Sequence, residues 1–243
     1  MRLPSLFKPS RRKKPRGLPP DIDDDARAII ETVSPFSMTS PERLLALRDA
    51  VRHVCRHGIE GDIVECGVWR GGSMMAAALT MLECGGRRRI HLFDTFEGMP
   101  PPAATDRDLT GVAAATLLAA EQRESGDTWA FSPLDQVRAN LRSTGYPAEL
   151  VRFVPGRVEE TIPEAAPERI AVLRLDTDWY ESTRHELEHL FPRLAVGGVL
   201  IIDDYGHWQG ARRAVDEYLA ASGARLLLSR IDYTGRMAVK IDP

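Results

Sequence analysis

The stretch Ile63-Val-Glu-Cys-Gly-Val-Trp-Arg-Gly-Gly-Ser73 decides the fold, because an apolar strand passes through a glycine-rich loop into an apolar helix. Its first residues are β-branched, as expected of a strand that is buried on both faces of a parallel sheet. Gly67, Gly71 and Gly72 permit tight turns and the close approach of a ligand to the backbone. The first amides of the helix, near Ser73, are unpaired donors. The pattern favours a nucleotide-type cofactor loop over a plain strand-to-helix turn.

The composition is that of one large globular domain. The chain has 243 residues, of which 43% are hydrophobic, and this is enough for an α/β domain with a covered core. No apolar run approaches the roughly 20 residues of a membrane span, and no signal-peptide core follows the first methionine, so we expect a cytoplasmic chain without a membrane span. Cys55, Cys66 and Cys84 lack metal-ligand spacing and lie in apolar contexts, which predicts reduced, buried thiols.

The amino-terminal residues differ from the rest in charge. Residues 1–17 carry seven Lys and Arg residues and no acid, whereas the whole chain has a net charge of −3. A basic arm suits a nucleic acid or an anionic membrane surface, but the acidic remainder would repel phosphate backbones. We therefore predict a disordered arm over residues 1–20, a single domain over residues 21–243, and no nucleic-acid partner.

Strands alternate with amphipathic helices along the rest of the chain. Ser40 is a predicted N-cap, and the helix after it has an apolar stripe with Arg43, Arg48, Arg52 and His53 on the other, solvent-facing side. The alternation predicts a mostly parallel sheet with helices on both faces and an antiparallel carboxy-terminal hairpin at one edge. After the strand that opens at residue 63, we predict strands at residues 90–94, 151–154, 170–176, 197–204, 225–231 and 237–241.

Residues 98–133 form the least regular part of the chain. Prolines crowd the start of this segment, and Gly111, Gly126 and Trp129 follow. A long insertion after the second strand is where a lid or a substrate-binding segment is expected.

Acidic residues end several of the predicted strands. Asp94, Asp176, Asp203 and Asp204 fall on one rim, because the carboxyl ends of parallel strands meet at the same edge of a sheet. Asp94 would lie beside a cofactor ribose, and the turn at Gly156 would border the adenine end. Repulsion among the other three acids would be costly in a partly dry cleft without a cation, and an all-oxygen ligand set suits Mg²⁺. An ordinary loop role for Asp94, and a turn-capping role for Asp203 and Asp204, are the alternatives.

Five motifs appear in order along the chain. They are Val-Glu-Cys-Gly-Val-Trp-Arg-Gly-Gly-Ser, Leu-Phe-Asp-Thr-Phe-Glu-Gly-Met-Pro, Gly-Arg-Val-Glu-Glu-Thr-Ile-Pro, Leu-Asp-Thr-Asp-Trp-Tyr-Glu-Ser-Thr and Ile-Ile-Asp-Asp-Tyr-Gly. Together they resemble the macrocin O-methyltransferase family over about residues 35–243. The resemblance implies a single Rossmann-like class I methyltransferase domain with a seven-stranded sheet. It also implies S-adenosylmethionine and Mg²⁺ as cofactors and a hydroxylated small molecule, a glycoside, as acceptor; a homo-oligomer is compatible with it.

The resemblance also assigns roles to residues. Asp94 is implied to hold the ribose, with Gly156 and Arg157 near the adenine. Asp176 or Asp178 is implied to receive the substrate proton. The implied metal ligands are Asp176, Asp203 and Asp204, and the implied cofactor-binding residues are Thr39, Glu65, Cys66, Gly67, Val68, Gly71, Ser73, Asp94, Thr95, Phe96, Gly156, Arg157 and Asp176.

The implied reaction follows from charge. A sugar hydroxyl is a poor nucleophile at neutral pH, so a divalent ion would stabilise its alkoxide and an aspartate would accept its proton. Methyl transfer from the sulfonium is then an in-line displacement. His207 is a further candidate base, whereas His185 is predicted to be a solvated helix residue.

Three other functions fit parts of the sequence. Asp176-Thr177-Asp178 is an Asp-x-Asp sequence of the kind that holds a metal and a diphosphate in sugar-nucleotide glycosyltransferases, although the glycine loop before it fits that class poorly. An NAD-dependent oxidoreductase is disfavoured, because Gly67-x-x-x-Gly71-Gly72 is not Gly-x-Gly-x-x-Gly. The third alternative is a non-enzymatic protein that binds the cofactor.

Overall fold

A seven-stranded sheet forms the centre of the protein. The computed structural model describes residues 18, 20–123 and 127–242, so that residues 1–17 and 19 of the predicted arm, and Gly126, lie outside the described residues. The strands are β1 (Asp62–Cys66), β2 (Ile90–Asp94), β3 (Val151–Pro155), β4 (Ile170–Leu175), β5 (Leu194–Ile202), β6 (Ser229–Arg230) and β7 (Arg236–Val239). Their order is β3-β2-β1-β4-β5-β7-β6, with β1 to β5 parallel and β7 antiparallel to both of its neighbours. The predicted Rossmann-like sheet with a carboxy-terminal hairpin at one edge is confirmed.

Helices cover both faces of this sheet, as predicted. They are α1 (Asp24–Val33), α2 (Pro41–Arg56), α3 (Gly72–Glu83), α4 (Ala114–Ala120), α5 (Leu134–Ser143), α6 (Val158–Thr161), α7 (Tyr180–Leu190) and α8 (Gln209–Ser222). Side chains of β1 alternate between two hydrophobic cores, with Ile63 in the core under α1, α2, α3 and α5, and Val64 and Cys66 in the core under α7 and α8. In the part of the chain that the structure describes, no helix is both long enough and apolar enough to cross a membrane.

Two strand boundaries differ from the prediction by three residues or more. β5 begins at Leu194, three residues before the predicted start, because a 3-10 turn at Phe191–Arg193 ends α7 and leads straight into the strand. The first strand of the hairpin is reduced to Ser229–Arg230, which pairs only with Met237 and Arg236. An edge strand gains hydrogen bonds on one side only, so short edge strands are common in native sheets.

The predicted exposure of two arginines and one cysteine is wrong. Arg43 and Arg48 are buried, at 9% and 2% exposure, on the face of α2 that was expected to meet solvent. Arg48 forms ion pairs with Asp23 and Glu83, so its charge is compensated inside the protein. Cys84, which was predicted to be buried, is exposed at the end of α3.

Candidate active site

The glycine loop brings the ends of β1 and β4 into direct backbone contact. Gly67 has φ +83°, and a Cβ built there would lie 2.0 Å from the backbone oxygen of Asp176. The amide of Asp176 in turn donates to the carbonyl of Cys66 at 2.8 Å. Gly71, the N-cap residue of α3, has φ +87° and packs against Leu141. The loop therefore has no space for side chains at these glycines and presents backbone to the cleft.

Gly67→Ala is expected to lower the free energy of unfolding by about 2 to 5 kcal/mol, because backbone strain and the clash with Asp176 add together. Urea unfolding measures the loss. Gly85→Ala is the matched control, since Gly85 has φ +66° but nothing within 4 Å of its Cβ position. Equal losses in the two variants would show that the contact with Asp176 contributes nothing.

Asp94 is fixed at the wall of the cleft by backbone amides. Its Oδ2 accepts from the amides of Val68 at 2.6 Å and Trp69 at 3.2 Å, and its Oδ1 accepts from the amide of Phe96 at 2.6 Å. Burial raises the pKa of Asp94, and the three amide hydrogen bonds oppose that rise. Oδ2 already accepts two amide hydrogen bonds, whereas Oδ1 accepts one from an amide and has a lone pair left for a ligand hydroxyl.

Three carboxylates meet beyond the ends of β4 and β5. Oxygen atoms of Asp176, Asp178 and Asp204 all lie within 4.8 Å of one another. Burial and the neighbouring negative charges raise the pKa of Asp176 and of Asp204 well above the ordinary value, and raise that of Asp178 to about 7. Asp178 also has φ +71°, a backbone conformation that non-glycine residues rarely adopt. The cluster is therefore electrostatically unfavourable when all three groups are charged.

Two arginines compensate a second set of acids directly behind this cluster. Arg174 donates through Nη1 to Glu65 Oε1 at 2.7 Å and to Asp176 Oδ2 at 2.6 Å, and through Nη2 to Asp203. Arg43 also pairs with Asp203, and its Nε donates to Asp232 at 3.0 Å. Asp203 is thus held by two guanidinium groups and is not part of the three-carboxylate group described above.

These groups line one cleft of about 580 Å³ at the carboxyl edge of the sheet. The predicted site residues on its wall are Thr39, Gly67, Val68, Ser73, Asp94, Thr95, Gly156, Arg157, Asp176, Asp178, Asp203 and Asp204. The remaining predicted residues do not line it: they are Glu65, Cys66, Gly71 and Phe96. Cys66 is fully buried in the core under α7 and α8, and Phe96 packs edge-on against Phe153, so both lie behind the wall.

Sequence reasoning missed several residues of the wall. Arg43 and Arg174 contribute its positive charge, and Trp69, Trp208 and Tyr233 contribute aromatic surface. The burial of Arg174 beside an acid could have been predicted from the sequence, because an arginine inside the apolar strand Ile170–Leu175 requires a buried acidic partner. The aromatic residues lie in loops and had no periodic signal.

His207 lines the same cleft. Burial lowers its pKa, and its Nδ1 atom has no hydrogen-bond partner among the described residues. Its ring packs edge-on against Trp208, at a centroid distance of 5.0 Å. A neutral imidazole with a free nitrogen is compatible with the candidate base role, whereas His185 bonds the carbonyl of Ile162 through Nε2 at 2.9 Å and does not line the cleft.

Comparison with known proteins gives one consistent result. The model of the macrocin-O-methyltransferase (TylF) family matches residues 19–239. A 4'-O-methyltransferase of Streptomyces olivaceus that acts on 8-demethyl-8-(2,3-dimethoxy-alpha-L-rhamnosyl)-tetracenomycin C is 40% identical, covering 82% of this chain and 73% of its own length. The mycinamicin III 3''-O-methyltransferase of Micromonospora griseorubida is 35% identical, covering 82% and 76%. The solved structure of the O-methyltransferase NovP superposes with a TM-score of 0.72 at 33% identity, covering 85% of this chain and 83% of NovP.

Proposed function

The chain belongs to the macrocin O-methyltransferase family and is an S-adenosylmethionine-dependent O-methyltransferase, and from that premise we propose that it methylates a hydroxyl of a glycosylated small molecule with the help of a divalent ion. One observation carries the proposal. The cluster of Asp176, Asp178 and Asp204 shares a cleft with the glycine loop and Asp94, so a proton acceptor and a cofactor cradle face the same space.

The cofactor is proposed to lie along the glycine loop. The backbone at Gly67 and the first turn of α3 at Ser73 would receive the methionine part, since both line the cleft. Asp94 is already oriented by three amides and would accept from a ribose hydroxyl through Oδ1. Gly156 and Arg157 would border the adenine.

The residues present fit a divalent cation. The ligand set consists only of carboxylates, and a cation would relieve the repulsion that raises their pKa values. We propose Asp176 and Asp204 as ligands, because the sequence and the structure both place them together. For Asp203 to act as the third ligand, as the sequence predicts, it must exchange one of its two arginine contacts for the ion. When bound, the ion would stabilise the ionised form of the acceptor hydroxyl.

Asp178 is proposed as the proton acceptor. The carboxylate of Asp176 is occupied by Arg174 at 2.6 Å, whereas no arginine or lysine within the described residues pairs with Asp178. Asp178 lies on the cleft wall within 4.8 Å of the proposed ligands, where an acceptor hydroxyl would be positioned. Arg174 favours the ionised form of Asp176 and orients its carboxylate, and the loop backbone at Gly67 would hold the methyl donor against the acceptor.

The acceptor would bind against the apolar and aromatic groups of the cleft wall. These groups include Met99, Ala130, Trp208 and Tyr233. Sugar rings and apolar ring systems pack well on such surfaces, because aromatic side chains bury much area with few rotatable bonds. One relative is named for a rhamnosyl-tetracenomycin acceptor and the other for mycinamicin III, and the first name agrees with a glycosylated acceptor.

The test is a screen of hydroxylated glycosides with methyl-labelled S-adenosylmethionine, in the presence of Mg²⁺. Transfer of label to a sugar hydroxyl supports the proposal. Turnover of a sugar nucleotide without methyl transfer would instead support the glycosyltransferase reading of Asp176-Thr177-Asp178. Cofactor binding without transfer to any acceptor would support a binding protein.

Chelation is expected to reduce methyl transfer by about 10²- to 10⁴-fold, because the carboxylates would lose the ion that stabilises the ionised hydroxyl. Readdition of Mg²⁺ should restore the rate, and initial rates of label transfer measure both effects. Calorimetry with S-adenosylmethionine in chelator serves as the control for intact cofactor binding. Full activity in excess chelator would exclude the metal from the mechanism.

A further inference from the structure

One buried carboxylate helps to fasten the segment of residues 98–133 to the body of the protein. Asp106 is only 1% exposed, although it lies outside any helix or strand. Its Oδ2 accepts from the amide of Ala103 at 2.7 Å, and its Oδ1 accepts from the amide of Tyr180 at 3.0 Å. The first contact shapes the segment itself, and the second joins it to the first residue of α7.

Asp106 caps a helix that has no cap of its own. The N-cap residue of α7 is Trp179, and its side chain makes no capping hydrogen bond. The first amides of a helix have no partner within the helix, and a carboxylate is favourable at this positive end. The cap of α7 therefore comes from a residue 74 positions earlier in the chain.

The residues after Asp106 make similar contacts with α8. The amide of Gln209, the first residue of α8, donates to the carbonyl of Arg107 at 2.9 Å, and Gln209 Nε2 donates to the carbonyl of Asp108 at 2.8 Å. Gly210 makes this approach possible, since a Cβ there would lie 2.3 Å from Asp106 Oδ1. Residues 106–108 thus contact the beginnings of both helices.

Both helices directly follow the loops that carry the carboxylate cluster. Asp178 lies two residues before α7, and Asp204 lies five residues before α8. Other parts of the same segment supply Met99 and Ala130 to the cleft wall. A shift of the segment relative to α7 and α8 would therefore change the distance between a bound acceptor and the carboxylates.

We propose that Asp106 is a positioning residue that holds the acceptor-binding segment, residues 98–133, at a fixed distance from the carboxylate cluster. This inference rests on the proposed function, which assigns acceptor binding to the segment. Asp106 does not line the cleft, so its effect on catalysis acts through the segment and the two helices.

Asp106→Ala is expected to lower kcat/KM for the acceptor by about 10- to 100-fold, because two buried hydrogen bonds that fix the segment are lost. The KM for the acceptor should rise, while the affinity for S-adenosylmethionine, measured by calorimetry, stays within about twofold. Gly210→Ala should give the same pattern, because the new methyl group would lie 2.3 Å from Asp106 Oδ1 and would displace the carboxylate. Asp106→Asn should be intermediate, since it keeps one acceptor oxygen and places an amide N–H₂ where the other was.

Asp108→Ala is the matched control. It removes the same side-chain charge from the same segment, but within the described residues the hydrogen bonds of that side chain stay inside its own turn, at Thr110 and Val112. Its kcat/KM should stay within about threefold of the original protein. Equal losses in the Asp106 and Asp108 variants, or a loss of cofactor affinity in parallel with kcat/KM, would overturn the proposal.

Hydrogen exchange tests, without an acceptor, whether Asp106 fastens the segment to α7 and α8. The amides of Ala103, Tyr180 and Gln209 should lose protection in Asp106→Ala and keep it in Asp108→Ala, while the amides of β1 and β4 are unchanged. Unchanged protection of the Tyr180 amide would show that Asp106 does not fasten the segment to α7. If the original protein methylates no acceptor, the proposed function fails, and the exchange result still decides whether Asp106 fastens the segment.

Discussion

Replacing Arg174 with methionine is expected to lower the free energy of unfolding by about 3 to 5 kcal/mol and to abolish methyl transfer. Arg174 is 3% exposed and is the common cation of three acids, Glu65, Asp176 and Asp203. Methionine fills a similar volume without charge, so the variant leaves Glu65 and Asp176 without their arginine rather than leaving a cavity, while Asp203 keeps its ion pair with Arg43. Urea unfolding and initial rates of methyl transfer measure the two effects.

The loss of stability in Arg174→Met should become smaller as the pH is lowered. Burial raises the pKa of Glu65 to about 8 while Arg174 opposes this rise, so removal of Arg174 shifts the acid further towards its neutral form. Protonation of Glu65 and Asp176 removes the unpaired charge, and the destabilisation should therefore shrink as the pH is lowered. Glu65→Gln combined with Arg174→Met should cost less than the sum of the single changes, because the pair is removed together.

Arg169→Met is the matched control. Arg169 immediately precedes β4, which contains Arg174, but its side chain is 60% exposed and pairs with the exposed Glu60. Exposed ion pairs contribute about 0 to 1 kcal/mol. If Arg174→Met destabilises the protein no more than Arg169→Met, the ion-pair network does not hold the site together.

The fold could be predicted because its signals are local. Strands β1, β2 and β4 are apolar runs that end at a turn or an acid, and their parallel order fixes the edge where Asp94, Asp176 and Asp204 meet. Glycine positions such as Gly67 were also readable, since a buried strand-to-helix turn leaves no space for a Cβ.

The arginines could not be placed from local signals. Arg43 lies four residues before Leu47 and thus shares its helical face, yet its charge favoured an exposed position. It is buried because Asp203, 160 residues away in sequence, supplies a compensating charge. The same holds for the cap of α7: Trp179 gives no capping signal, and the carboxylate that replaces it comes from Asp106 in an irregular segment. Such pairings depend on tertiary structure, which hydrophobic periodicity does not encode.

Asp178→Asn is expected to lower methyl transfer by about 10²- to 10⁴-fold and, at neutral pH, to stabilise the metal-free protein. Asparagine keeps the shape of the side chain and tolerates the left-handed φ of +71° at this position. It removes one of three clustered negative charges, and with it both the proposed proton acceptor and part of the repulsion in the cluster.

The sign of the stability change follows from the two pKa values of Asp178. The group ionises near its ordinary value of 3.8 in the unfolded chain but only near 7 in the folded one, where burial opposes its charge. Ionisation therefore favours the unfolded state progressively between about pH 4 and pH 7. The gain in the asparagine variant should be absent below this window, grow through it to on the order of 4 kcal/mol, and stay constant above it, since each pKa unit corresponds to about 1.4 kcal/mol. Urea unfolding in chelator measures it, with the 93% exposed Asp135, changed to asparagine, as the control.

The response to Mg²⁺ separates a proton acceptor from a metal ligand. An ion that binds only the folded state raises the free energy of unfolding in proportion to the logarithm of its concentration divided by its dissociation constant. Removal of a ligand side chain weakens binding, so a higher Mg²⁺ concentration is then needed for a given rise in Tm. If Asp178 acts only as the base, the Tm of Asp178→Asn should depend on Mg²⁺ as that of the original protein does, apart from the effect of removing one nearby charge. Asp204→Asn should instead require far more Mg²⁺ for the same rise in Tm. A large shift for Asp178→Asn together with none for Asp203→Asn would instead make Asp178 the third ligand. That result would leave His207, with its unpartnered Nδ1 on the same cleft wall, as the remaining proton acceptor.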